Sequence, residues 1–175
     1  MPRPLLLLVS LALGLATLTG THPAAATSRA TTVEVARSHY TTAARVTDAQ
    51  AERKVIRLVN RKRVAHGCHA LKPNAALHRA AKRHSNKMAA ALSLSHQLPG
   101  EPSLGRRVTK AGYKHWTRIG ENVAYGYPTP ASVVRGWMNS PEHRANILDC
   151  RYKDTGVGLS HGGGYAWWTQ DFGRK

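Results

Sequence analysis

GENVAYG (residues 120–126) and WMNSPEHRANIL (residues 137–148) decide how this chain is read. The first is an apolar run between glycines, the pattern of a strand, and it carries Glu121. In the second, Ser140, Pro141 and Glu142 spell a helix start, so PEHRANIL forms one to two turns with His143 in the first. Unpaired backbone N–H groups there favour a neutral imidazole. Upstream, LSLSH (residues 92–96) presents His96 in a stretch that also reads as ordered. One carboxylate and two imidazoles have the chemistry of a divalent-metal site or an acid–base cluster. Their spacing is too long for a local motif, so they form one site only if the fold gathers them.

Helices and strands flank these stretches. Residues 48–67 and 74–92 are helical, the second capped by Asn74 and striped by Leu77, Ala81, His84, Met88 and Ala91. His84 lies inside that stripe and reads as a buried, hydrogen-bonded core histidine before it reads as a ligand; His78 falls off the stripe, toward solvent. Residues 103–113 are a short helix ended by Gly112, and Thr129–Pro130 starts another over 129–139. Residues 155–161 and 165–173 alternate across GGG (162–164), which reads as a hairpin turn before a phosphate loop. Alternation implies that Trp167 or Trp168 faces the core, not both.

The N-terminus reads as an export signal: Arg3, an apolar core at residues 5–18, and small residues suited to cleavage after Ala26. The alternative is a retained membrane anchor. No other segment is apolar enough to span a bilayer. Residues 27–47 read as a flexible tether and 48–175 as one domain. Two cysteines in an exported chain favour a Cys68–Cys150 disulfide over two free buried thiols. The net charge is +17. Much of it lies on the first helix (Arg53, Lys54, Arg57, Arg61, Lys62, Arg63) and near the start of the third (Arg106, Arg107, Lys110). Outside a cell it implies anionic envelope material rather than specific nucleic acid; the bland alternative is a solvated helix face.

The ordered series LxxxAxxHSxxMA, SH, AGY, GENVAYG, WMNSPEHRANIL, TGVG and WTQDFG resembles the CAP superfamily of cysteine-rich secretory, antigen and pathogenesis-related proteins, including its short bacterial members. The resemblance covers roughly residues 50–173. It implies an α+β fold, a three-layer α-β-α sandwich around a mostly antiparallel sheet. It also implies a cleft of two histidines and two acidic residues, which in some members binds a divalent cation such as zinc. Carried over by motif, these are His96, Glu121 and His143. The second acidic group belongs three residues after a Trp, where this chain has Ser140; Glu142 is a misaligned substitute.

For function the resemblance implies a secreted monomer, a non-enzymatic module binding a small or lipidic ligand or envelope material in the His96/Glu121/His143 cleft. A zinc-dependent hydrolase with Glu121 as general base or third ligand is the alternative. A third reading makes the cluster only a buried network that steadies the sandwich. No Ser-His-Asp order, HExxH or paired nucleophile supports the hydrolase. Mass spectrometry of secreted material is expected to find an N-terminus at or near Thr27 and no free thiol. An intact 1–26 segment would contradict the export reading.

Overall fold

Gly163 and Gly164 turn the chain through φ values of 60° and 80°, the backbone of a two-residue hairpin turn that glycine adopts without steric cost. They join β3 (Asp154–Gly162) to β4 (Tyr165–Arg174), antiparallel from Asp154↔Gly173 to Gly162↔Tyr165. β2 (Arg118–Tyr125) pairs antiparallel with the other side of β4, and the short β1 (Lys72–Pro73) runs parallel to β3. The sheet order is β1-β3-β4-β2. The structure, a computed structural model, describes residues 48–175. The expected signal segment and tether lie outside the described residues.

Helices cover both faces of this sheet. On one side α1 (48–65), α4 (Pro130–Asn139) and α5 (Pro141–Leu148) bring Val55, Val59, Trp137 and Ile147 against Val157, Trp168 and Phe172. On the other, α2 (Ala75–Ala91) and α3 (Leu104–Lys110) pack Leu77, Ala80 and Val108 with Tyr113, and Met88 with Val123 and Trp167. The α-β-α sandwich expected from the sequence is therefore present. The expectation that only one of Trp167 and Trp168 faces a core is wrong. Both are buried, on opposite sides of β4, because a sheet covered on both faces has no solvent side.

Local chemistry explains the start of each long helix. The Asn74 side chain accepts from the Ala76 and Leu77 N–H groups, and Thr129 forms a capping box with Ser132 ahead of Pro130. The glycines of β3 have a different purpose. A Cβ at Gly156, Gly158 or Gly162 would collide with the α2 backbone at His78, Lys82 or Ala89, so these positions let α2 lie directly on the sheet.

Two cross-links join the end of α1 to the chain after α5. One is the Cys68–Cys150 disulfide, spanning 82 residues and worth at most about 4–5 kcal/mol by loop-closure entropy. The other is Arg63, which the sequence reading counted with the solvated charges. It is fully buried, and its guanidinium donates to the carbonyls of Ile147 at 2.5 Å, Asp149 at 3.0 Å, His69 at 3.1 Å and Tyr152 at 3.2 Å. The carbonyls at the end of α5 thus gain the donor that helix geometry denies them. Arg63→Met leaves four acceptors unmatched. It is expected to lower unfolding free energy by roughly 3–5 kcal/mol in urea denaturation with the disulfide intact. A loss under about 1 kcal/mol would contradict this role.

Candidate functional site

Glu121 occupies the middle of β2, on the side facing α2 and α3, in register with Asp171 of β4. Both are buried. A carboxylate there requires compensation, and Arg107 of α3 supplies it. One Arg107 amino group bonds Glu121 Oε2; the other reaches His84 Nδ1 at 2.7 Å, the His96 carbonyl at 3.0 Å and Glu101 Oε2 at 3.2 Å. Arg107 was also counted with the solvated charges, and it too is buried. The remaining Glu121 oxygen meets His96 Nδ1 at 2.8 Å.

The same network shapes the loop that carries His96. His84, buried and hydrogen-bonded as the sequence reading expected, faces the Ser95 carbonyl through Nε2 at 2.8 Å and so donates there. Its Nδ1 lies 2.9 Å from Glu101 Oε2. Glu101 in turn accepts from the Leu98 N–H. Burial opposes ionisation of Glu101, but His84, that N–H and Arg107 together hold its pKa below the ordinary value. Ser95, His96 and Leu98 are therefore all anchored to one buried polar cluster. The His96 ring itself is exposed over 61% of its side chain.

His143 arrives from the opposite layer. Asn122 donates to its carbonyl at 3.1 Å, and Asn146 donates to Asn122 Oδ1 at 2.9 Å and to the Glu121 carbonyl at 3.2 Å. These amides fasten α5 to the strand beside Glu121. The hydrogen bond to Glu121 raises the His96 pKa, against burial and the Arg107 charge. Burial lowers that of His143, and the charge of His96 lowers it further. Glu142, exposed at the start of α5, biases both imidazoles toward protonation. Ser140 sits at the junction of α4 and α5, where its N–H bonds the Gly136 and Trp137 carbonyls.

Sequence reading missed Arg107, Glu101 and Asp171 as members of the site. A lone Asp within the apolar run WWTQDFG, opposite the GEN glutamate, was the available signal. Burial, and then the negative charge of Glu121, push the Asp171 pKa well above the ordinary value, and a hydrogen bond with Glu121 favours the protonated form. Its Oδ1 has no hydrogen-bond partner among the described residues.

The donor set was tested against a divalent cation. Among the described residues no three His, Cys, Asp or Glu side chains are grouped so as to hold one. Glu121 faces Arg107 and His96, which places it behind an imidazole, where an outer-shell partner of a ligating histidine belongs.

Comparison with known proteins agrees with this architecture. Residues 56–172 match the sequence profile of CAP, the cysteine-rich secretory protein family. The uncharacterized protein YkwD of Bacillus subtilis is 35% identical over 136 residues, 78% of this chain and 52% of its own length. The uncharacterized membrane protein YlbC of the same organism is 32% identical over 70% of this chain and 34% of itself. The chain thus spans about half and a third of these curated relatives. A crystal structure of an extracellular, SCP-domain protein from Bacillus anthracis superposes with a TM-score of 0.68 at 27% identity, over 73% of this chain and 41% of that one. An outer surface protein from Borrelia burgdorferi shares the fold at TM-score 0.66 and 18% identity, over 72% and 93%.

The raised Asp171 pKa has a signed consequence. The unfolded carboxyl ionises near 3.8 and the folded one well above it. Its contribution is therefore complete below that pH and lost as pH rises through the folded value. Asp171→Asn keeps a donor toward Glu121 without this loss. Its stability relative to wild type is expected to grow as pH rises above about 4 in chemical denaturation; a difference that shrinks with pH would contradict the raised pKa.

Proposed function

The chain belongs to the cysteine-rich secretory protein family, and from that premise we propose that it is a secreted, non-enzymatic recognition module. Its ligand, a small molecule or a component of the cell envelope, is received at the His96/Glu121/His143 cleft. One observation carries this reading: both Glu121 oxygens are engaged, by Arg107 and by His96. A general base or third zinc ligand needs a carboxylate that substrate or metal can reach, and Glu121 is buried and paired with Arg107. The hydrolase alternative would first have to break a buried ion pair, which costs several kcal/mol. The exposed His96 ring and the half-buried His143 remain as groups that meet a ligand.

The disulfide and the extracellular description of the Bacillus anthracis neighbour support secretion. Among the described residues no helix is long and apolar enough to cross a membrane. With Arg63 and Arg107 removed from the solvated set, Arg53, Lys54, Arg57, Arg61 and Lys62 still line the exposed side of α1. These charges hold the module to anionic envelope polymers.

Adhesion of this kind is expected to weaken about tenfold or more between 50 and 200 mM salt, because counterion release governs it. Arg57→Glu with Arg61→Glu should weaken it further at unchanged thermal stability. Salt-insensitive binding to purified wall polymer would return the charge to a solvated face.

A divalent cation would meet His96 and His143, with Glu121 acting through His96. Zinc affinity, read by calorimetry, should fall as pH drops toward 6, since both imidazoles must be neutral. His143→Ala should abolish it while changing stability by less than about 0.5 kcal/mol. Zinc binding unaffected by His143→Ala would exclude this pair.

A further inference from the structure

Past the end of α2 the chain makes a costly choice. Leu92 caps the helix in the left-handed region, at φ 48°, where glycine is the usual residue and a side chain is strained. It is also 60% exposed, so burial does not repay the strain. Its side chain instead walls a groove of about 390 Å³, completed by Ser93, Leu94, Tyr125, Tyr165 and Trp167. No charged residue lines this groove, on a chain of net charge +17.

The aromatic residues in it are ordered. Trp167 is buried against Met88 and Ala89, and its indole N–H donates to the Gly162 carbonyl at 2.9 Å. The Tyr125 ring stacks on it at 5.1 Å and 21°, and Tyr165 meets Tyr125 edge-on at 6.0 Å. Yet Tyr125 is 48% exposed and Tyr165 54%. Trp167 backs the Tyr125 ring, and about half of Tyr125 stays open to solvent. The lining thus combines exposed aromatic rings backed by Trp167, aliphatic Leu92 and Leu94, and three residues that carry hydroxyls, Ser93, Tyr125 and Tyr165.

We propose that this groove is a binding site for a neutral pyranose glycan, separate from the His96–Glu121 cleft and independent of its reading. A pyranose ring has the complementary character: an apolar C–H face that stacks on an aromatic ring, and equatorial hydroxyls that the Tyr125, Tyr165 and Ser93 hydroxyls pair with. Other ligand classes fit less well. An anionic polymer requires cations in the lining, and none are there. An acyl chain favours an enclosed aliphatic channel over an open groove with a polar rim. A protein partner needs roughly 800 Å² on each side, more than these few residues offer.

The test uses β-1,4-linked N-acetylglucosamine tetrasaccharide as probe, titrated into the full chain and followed by NMR at 50 mM and about 500 mM salt. Ring C–H protons of the sugar should shift upfield on stacking, with affinity unchanged by salt. Tyr125→Ala should weaken binding about tenfold, and Tyr125→Phe should retain most of it. Leu92→Gly should bind more weakly while being at least as stable as wild type, an outcome that a purely structural Leu92 would not produce. Absence of binding at millimolar tetrasaccharide, or affinity indifferent to Tyr125→Ala, would overturn the proposal. So would stronger capture by neutral phosphatidylcholine vesicles that depends on Tyr125. Adhesion to anionic wall polymer, read in parallel, fails or survives by its own salt dependence, so the two readings are separated.

Discussion

The ion pair between Arg107 and Glu121 is the contact on which the site depends. Glu121 is placed by strand alternation on the inner side of β2, where an uncompensated carboxylate would be prohibitive. Arg107 compensates it, but a guanidinium has further donors, and they organise what surrounds it. They engage His84, Glu101 and the His96 carbonyl, converting a charge-neutralising contact into a clamp on a loop. Burial, and then the Glu121 charge, raise the pKa of Asp171, the cross-strand partner of Glu121, against the Arg107 charge.

This arrangement links fold to function in one direction. Covering both faces of the sheet buries polar residues of β2 and β4, among them Glu121, Asn122 and Asp171, and burial makes their pairing matter. The glycines of β3 bring α2 close, which sets His84 within reach of the cluster. Helix α5 is fastened to β2 by Asn122 and Asn146, so His143 approaches from the layer opposite to His96. The charge of His96 reaches His143, while the Glu121 carboxylate is committed to holding His96 in place.

Much of the fold was legible in the chain because its signals are local. Asn74, Thr129–Pro130 and the Gly163–Gly164 turn act through their own backbone neighbours, and each element lies where those residues put it. His96, Glu121 and His143 were legible as motif residues. What was not legible depends on pairing across the chain. Arg63 and Arg107 look like any surface arginine until α5 and β2 arrive to surround them, and Asp171 shows its role only through the β2–β4 register. The two tryptophans were misassigned for the same reason, since alternation describes faces but does not say how many of them are covered.

The central claim is that Glu121 is committed to His96 and sets the His96 and His143 imidazoles apart. Nitrogen-detected NMR of the histidine rings across pH measures this directly. The account predicts that His96 carries a proton on Nδ1 and titrates above the ordinary 6.5, while His143 titrates below it. The reverse order, or two rings titrating together at the ordinary value, would contradict it.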